Sequence, residues 1–442
     1  MIKLLKKIRL SGLFLALLVF ILGHIAGINP VAPFFLLSIY LYCKLRGLIV
    51  KNASLLNLSL LFLIIFTSGY LILTNNLPLY FIPFSVVPML LMLLFSSLEL
   101  SLIIPLAAAV SLSVTGKFSL ELIPLFLTSA ILSALLVKGA RKRSTIIRAG
   151  AISGLAQLVI FIFTRSPETG LSYQGIYFLI NGLISSIIVL GVLPIFEYLF
   201  GAITNISLLE LADFHQPLLE RLIQETPGTY HHSLIVGNLS ETASRAIGAN
   251  ALLSRVGAYY HDIGKLQKPE YFSENQDKTA SKHDAFSPAM SKLVIMKHVK
   301  EGVGLAKKYK LNPALIDFIE QHHGKSLVYY FYLRALENPK EDQEVEEEGY
   351  RYPGPKPRSK ETAIVLLADS VEAAARSLKD PDPAAIGDLV HKIINNKFID
   401  GQLDECDLKL KDLEKISAVF IKLLCGIYHS RASYPEKENN QI

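Results

Sequence analysis

The first 200 residues of the chain are a succession of apolar runs that almost exclude charge. They contain four acids (Glu99, Glu121, Glu168, Glu197) against fourteen Lys and Arg. Backbone in hydrocarbon has to satisfy its own hydrogen bonds, so repeated runs near ~20 residues restrict this half to transmembrane helices. Runs read at about residues 13–28, 30–43, 55–73, 77–98, 100–114, 120–137, 149–163 and 173–195, eight spans in all. Lys3, Lys6, Lys7 and Arg9 precede the first run. No small-x-small cleavage site follows it, so it reads as an uncleaved span. Asn29-Pro30 would turn a tight hairpin between the first two.

With eight spans, the basic clusters at 3–9, 44–51 and 138–148 all face one side, and the opposite loops, such as 165–170, are nearly neutral. The positive-inside rule then places the N-terminus and everything after residue 200 in the cytoplasm of a multi-pass plasma-membrane protein. The lipid bilayer is thus an expected partner. No acidic or basic residue lies deep in any span, His24 near the outer end of the first being the only candidate, which argues against a proton or ion path through the bundle. Pro83, Pro88, Pro105 and Pro124 read as ordinary membrane prolines. This half has the character of an anchor or sensor.

The remaining residues carry 30 bases and 34 acids, so the overall charge of +6 averages a basic membrane half and a mildly acidic second half. The basic excess has a membrane explanation, and no nucleic acid polymer is expected as a partner. Cys43, Cys406 and Cys425 form no C-x-x-C pair and fit a reducing compartment. Residues 201–228 read as connecting helices broken near His215-Gln216-Pro217. From 229 to 434 the 3.6-residue periodicity is helical throughout, in runs such as 233–247, 251–260, 289–309, 313–321, 363–377, 384–396 and 408–428. Residues 435–442 read as a disordered tail.

Seven of the eleven histidines fall between 231 and 323. At their centre lies Tyr259-Tyr260-His261-Asp262-Ile263-Gly264-Lys265, where adjacent side chains offer an imidazole and a carboxylate able to bridge two cations. Gly264 is expected to let the chain leave its helix tightly, and Lys265 to set a cation beside the site. His232 starts one helix, His298 lies within another, and His322-His323 end a third ahead of Gly324. Asp369 falls in an apolar helix where an unpartnered carboxylate would be costly. Imidazoles and carboxylates without thiolates suit iron, manganese or another harder transition metal. Two divalent ions roughly 3.5–4 Å apart, bridged by Asp262 and a hydroxide, would use these ligands and favour in-line attack on phosphorus.

The order His…His-Asp…His…His-His…Asp resembles the HD superfamily of metal-dependent phosphohydrolases. Thr229-Tyr-His-His-Ser, Val256-Gly-Ala-Tyr-Tyr-His-Asp-Ile-Gly-Lys, Gln321-His-His-Gly, Tyr352-Pro-Gly-Pro-Lys-Pro and Asp404-Glu-Cys-Asp narrow the likeness. They resemble the seven-transmembrane HD-domain cyclic di-AMP phosphodiesterases from about residue 30 to 434. The resemblance implies an all-α protein: a polytopic transmembrane helical bundle followed by a cytoplasmic all-helical HD domain. It implies hydrolysis of cyclic di-AMP to pApA at a dinuclear iron or manganese centre. It also implies His232, His261, Asp262, His298, His322, His323 and Asp369 as the metal set, with Lys265 on a phosphate. Many members carry a large extracellular domain after the first span; here the first two runs are nearly contiguous, so such a sensor is not expected.

His261, Asp262 and Lys265 are then the catalytic candidates, and Lys265, Tyr271, His283 and Arg376 the substrate-binding ones. Tyr271 sits in a Pro-Glu-Tyr-Phe loop, His283 in a polar loop, and Arg376 two turns beyond Asp369 on the same helix face. His231 reads as a packing neighbour. Adenine rests on the resemblance alone, leaving another cyclic or linear nucleotide open, as well as a non-catalytic nucleotide-binding membrane receptor. The oligomeric state is open, a homo-oligomer included.

Overall fold

The structure is a computed structural model that describes residues 55–112, 122–164, 175–276, 282–337, 345–378 and 381–428. The first two apolar runs, His24, Cys43, the basic clusters at 3–9 and 44–51, the loop at 165–170 and the tail at 435–442 lie outside the described residues. The described residues are helical and contain no strand; one isolated bridge joins Leu327 and Arg351. The chain divides into two compact units, Met1–Ser207 and Leu208–Ile442.

The first unit contains α1 (Leu55–Thr74), α2 (Val86–Phe95), α3 (Leu98–Leu112), α4 (Leu122–Val137), α5 (Arg143–Thr164) and α6 (Gly175–Phe200). By length and composition three of them can cross a membrane: the stretches Leu56–Thr74, Arg143–Phe163 and Gly175–Phe200. The expected continuous span at 77–98 is instead broken. A short 3-10 turn, Leu79–Phe81, precedes α2, because Pro78 and Pro83 lack amide hydrogens and drive their predecessors out of the α region. Asn181 donates to the carbonyls of Tyr80 (2.7 Å) and Ile82 (2.8 Å), so carbonyls beside the break remain hydrogen-bonded. All ten residues of α2 are buried, as suits a helix apolar all round.

α5 begins six residues earlier than its apolar run, drawing Arg143 and Arg148 into the helix with both side chains exposed. Long cationic side chains can extend outward from a helix end, so charge does not force a loop there. α5 and α6 cross backbone to backbone. A Cβ at Gly182 would lie 2.1 Å from the Gly150 carbonyl oxygen, and one at Gly154 2.7 Å from that of Leu179. Gly150-xxx-Gly154 thus works as a small-residue crossing motif, which counting apolar residues does not reveal.

α7 (Asn205–Leu211) lies at the division between the units. The second unit continues with α8 (Pro217–Glu225), α9 (Pro227–Ile247), α10 (Ala251–Tyr260), α11 (Pro288–Lys308), α12 (Pro313–Gln321), α13 (Tyr329–Glu337), α14 (Lys360–Ala375), α15 (Pro383–Ile399) and α16 (Leu410–Tyr428). Proline followed by a helical run marks the start of five of these, where a missing amide costs nothing. Asn312 and Asp382 cap the entries to α12 and α15 through bonds to Ala314 N–H (2.9 Å) and Ala385 N–H (2.7 Å). Short, aromatic α13 has no counterpart among the runs legible in the sequence.

α14 runs through the core. Residues Ala363 to Ala368 are completely buried, packed among Val236 and Leu239 of α9, Ala258 of α10, Phe318 of α12 and Phe420 of α16. A helix buried on every face projects any polar side chain into the interior, and Asp369 is the residue that follows.

Candidate metal centre

Five elements converge on one buried cluster. α9 supplies His232, the end of α10 His261 and Asp262, α11 His298, the end of α12 His322 and His323, and α14 Asp369. The potential ligand atoms fall into two groups, each spanning less than 4.8 Å: Asp262 with His298, His322 and His323, and His232 with His261 and Asp369. Asp262 joins them. Its Oδ2 lies 3.2 Å from His261 Nε2 and 3.7 Å from His232 Nε2, while Oδ1 lies 3.4 Å from His298 Nε2 and 3.5 Å from His322 Nε2. Asp369 also reaches both groups, with Oδ1 3.0 Å from His232 Nε2 and Oδ2 3.6 Å from His323 Nδ1.

Local backbone geometry sets the imidazole orientations. Nδ1–H of His261 donates to the Ala258 carbonyl (2.6 Å), that of His298 to Ile295 (2.6 Å), and that of His322 to Ile319 (3.0 Å). Because a carbonyl can only accept, each Nε2 faces inward, with a lone pair wherever the ring is neutral. His232 uses the buried carboxylate of Glu372, one helical turn beyond Asp369, in the same way. A second-sphere acid of this kind sets both tautomer and ring orientation, and Glu372 is the main residue that motif reading missed. An apolar helix carrying a second acid three residues after Asp369 was the available signal.

These ring nitrogens converge on the two carboxylates. His298 Nε2 and His322 Nε2 are 3.2 Å apart, and His261 Nε2 and Asp262 Oδ1 are buried without a hydrogen bond. Inward-facing acceptors around two carboxylates fit divalent cations, so the donor set suits two metal ions. The titration behaviour agrees. Burial lowers His298 to about 4, keeping it neutral, and burial likewise holds His323 well below the usual imidazole range. Burial would also lower His261, but Asp262 and Asp369 outweigh it and raise it to about 10. Burial opposes the charge on Asp262, yet His261, Lys265 and His322 hold its carboxyl well below the ordinary range. The carboxylates thus draw positive charge into the cluster.

Gly264 has a different task from the one expected. Its φ is not in the left-handed region, and it lies in a 3-10 turn, Ile263–Gln267. A Cβ there would meet the His298 carbonyl oxygen at 1.8 Å, so glycine lets the Asp262 segment press against α11. Lys265 turns inward, its Nζ 2.8 Å from Asp262 Oδ2 and 2.6 Å from Glu274 Oε1.

The other substrate candidates are held by neighbours of their own around the cluster. His283 donates through Nε2 to the Tyr271 carbonyl (2.8 Å), and its ring lies 5.1 Å from that of Phe331. The ring of Tyr271 stacks on Phe286. It is the neighbouring Phe272 that meets the cluster, edge-on to His298 at 5.7 Å. Arg376 pairs with Glu372 at 3.9 Å, behind His232. His231, read as a packing neighbour, is instead exposed, because the residue next to an inward-facing His232 on a helix turns outward. The cluster is most accessible at His323, whose side chain is 23% exposed against 3% or less for the other four imidazoles. Tyr352 stacks on His323 there, with centroids 4.3 Å apart and planes at 24°. Partly buried Lys397 bonds to the Ser326 hydroxyl (2.6 Å), and desolvation lowers it despite the nearby charges of Asp369 and Asp400.

A family model described as a 7TM receptor with an intracellular HD hydrolase matches residues 25–204, and one for the HD domain matches residues 229–374. The chain is 44% identical over 329 residues to the cyclic-di-AMP phosphodiesterase PgpH of Bacillus subtilis, across 73% of this chain and 46% of that protein. It is 37% identical over 402 residues to the PgpH of Listeria monocytogenes, across 89% of this chain and 55% of that one. Among solved structures, the L. monocytogenes PgpH HD domain in complex with cyclic-di-AMP is 45% identical, with a TM-score of 0.47, covering 50% of this chain and all of that one. The chain spans about half the length of the curated relatives it matches. With both modules present in order, the chain belongs to the family that joins a seven-transmembrane receptor module to an HD hydrolase domain.

Proposed function

We propose that the protein is a membrane-anchored, metal-dependent phosphodiesterase that hydrolyses cyclic di-AMP to pApA. The observation that carries this reading is the two-lobed cluster bridged by Asp262, whose separate oxygens face separate pairs of imidazoles. Two relatives named cyclic-di-AMP phosphodiesterase support the choice of substrate.

In this reading His298, His322 and His323 hold one divalent ion, His232, His261 and Asp369 the other, and Asp262 both. Bound there, two such ions, iron or manganese by the donor chemistry, would activate water as a hydroxide nucleophile and neutralise charge on the phosphoryl oxygens. The chain's own residues prepare the site. Lys265 and Glu274 fix the Asp262 carboxylate, Glu372 orients His232, and three backbone carbonyls orient His261, His298 and His322. Two of the three Lys265 donors are used, leaving one for a phosphate oxygen. Tyr271 and His283 are assigned to a wall beside Phe272, and Arg376 acts through Glu372.

The domain boundaries read from the sequence are kept: bundle to residue 200, connecting helices at 201–228 and the HD domain at 229–434. An HD domain in the cytoplasm and eight spans follow from the distribution of basic residues.

The test uses the full chain in detergent, analysed for metal and assayed on a panel of cyclic and linear nucleotides. Wild type should release pApA from cyclic di-AMP, and Asp262→Ala should lose ~10³-fold or more in rate along with bound metal. A wild-type protein holding two metals but leaving cyclic di-AMP intact would sink the assignment.

A further inference from the structure

The hydroxyl of Tyr352 points to a role that no metal ligand fills. Its sequence context, Tyr352-Pro353-Gly354-Pro355-Lys356-Pro357, is stiffened by prolines. Its placement is fixed at several points. Tyr352 N–H donates to the Ser326 carbonyl (3.0 Å), and Arg351 forks between Asp400 (2.8 Å) and Glu347 (2.6 Å). Lys356 pairs with Asp404 (3.2 Å) and Arg358 with Glu405 (3.3 Å).

On this frame the ring is only 8% exposed, lying flat on His323 and edge-on to His298. Phenylalanine would make the same ring contacts. What tyrosine adds is a hydroxyl that makes no hydrogen bond to any described residue, although Lys265, Asp262 and Asp369 lie within electrostatic reach. The hydroxyl keeps contact with solvent, so water meets it until a better acceptor displaces that water. The acceptor therefore arrives from outside, on the His323 side where the cluster opens.

We propose that Tyr352 is a catalytic residue whose hydroxyl donates a hydrogen bond to a non-bridging oxygen of the phosphodiester under attack. This rests on the phosphodiesterase reading above and adds a donor from the protein to the phosphoryl group. A fixed donor aimed at developing phosphoryl charge stabilises the transition state more than the ground state.

The experiment compares wild type, Tyr352→Phe and Tyr352→Leu as full chains in detergent, measuring cyclic di-AMP turnover, metal content and thermal unfolding. Tyr352→Phe keeps the ring stack. Its kcat should fall about a hundredfold, with KM within roughly threefold, both metals retained and an unchanged unfolding midpoint. Tyr352→Leu, which also removes the stack on His323, should in addition lose metal. A kcat for Tyr352→Phe within about twofold of wild type would overturn the proposal, as would loss of metal by that variant equal to that of Tyr352→Leu. If metal-loaded wild type itself fails to cleave cyclic di-AMP, the phosphodiesterase reading falls, and this role with it.

Discussion

Replacing Gly264 by alanine adds one methyl group at the tightest backbone contact beneath the metal centre. The φ of Gly264 is open to alanine, so the effect is steric. The new Cβ would stand 1.8 Å from the His298 carbonyl oxygen and 2.6 Å from the Gly302 nitrogen, where ordinary contact begins at 3.4 Å. Both obstacles are backbone and no rotamer change relieves them, so the turn and α11 have to part by about 1.6 Å, a case of overpacking. Overpacking of this kind costs ~1–3 kcal/mol, and a contact against backbone belongs at the upper end. Because α11 carries His298, its Nε2 leaves its place 3.4 Å from Asp262 Oδ1. Displacements of about 1 Å at a catalytic group cost ~10²-fold in rate. The variant should therefore hold about one metal per chain in place of two, turn over cyclic di-AMP roughly a hundredfold more slowly, and unfold several degrees lower. Gly304→Ala is the control, since a Cβ there meets nothing within 4 Å on the same helix. Elemental analysis, pApA release and thermal unfolding read the three effects. A Gly264→Ala protein with two metals and turnover within about threefold of wild type would show that the close approach does not position His298.

Glu372→Gln keeps the size of the acid behind His232 but removes its charge, and metal affinity should fall ~10-fold or more in a chelator competition. An unchanged affinity would mean that the carboxylate does not tune this ligand. The metal-free protein should be acid-sensitive. The folded state holds His298 at about 4 and His323 well below the usual range, whereas the unfolded chain takes up both protons near 6.5. Between those values the unfolded state binds more protons, so stability falls as pH drops from about 6.5 towards 4. His261, raised to about 10, is already protonated in the folded state across that window and adds no opposing slope there. Thermal unfolding of chelator-treated protein should show a lower midpoint at pH 4.5 than at 6.5, and a flat profile would refute the assignment of neutral buried imidazoles.

Sequence alone determined the helical class, because two periodicities are written in the chain: near-continuous apolar runs in the first half and 3.6-residue spacing in the second. It also singled out the seven residues that converge in the buried cluster, with the resemblance to the HD phosphohydrolases supplying the metal reading. Individual helix limits followed where proline and a capping side chain coincide, as at Asn312-Pro313. Tertiary structure decided the rest, because those features depend on distance across the fold. The break that Pro78 and Pro83 make before α2 is tolerated because Asn181 reaches its carbonyls from a hundred residues away. Glu372 is one acid among many in the sequence and acquires its role only when α14 packs against α9. Gly264 is a backbone-freedom residue when read locally and a packing residue once α11 is in place. Lys265, legible as a cation near the site, is turned to Asp262 and Glu274 because a largely buried ammonium needs counter-charge.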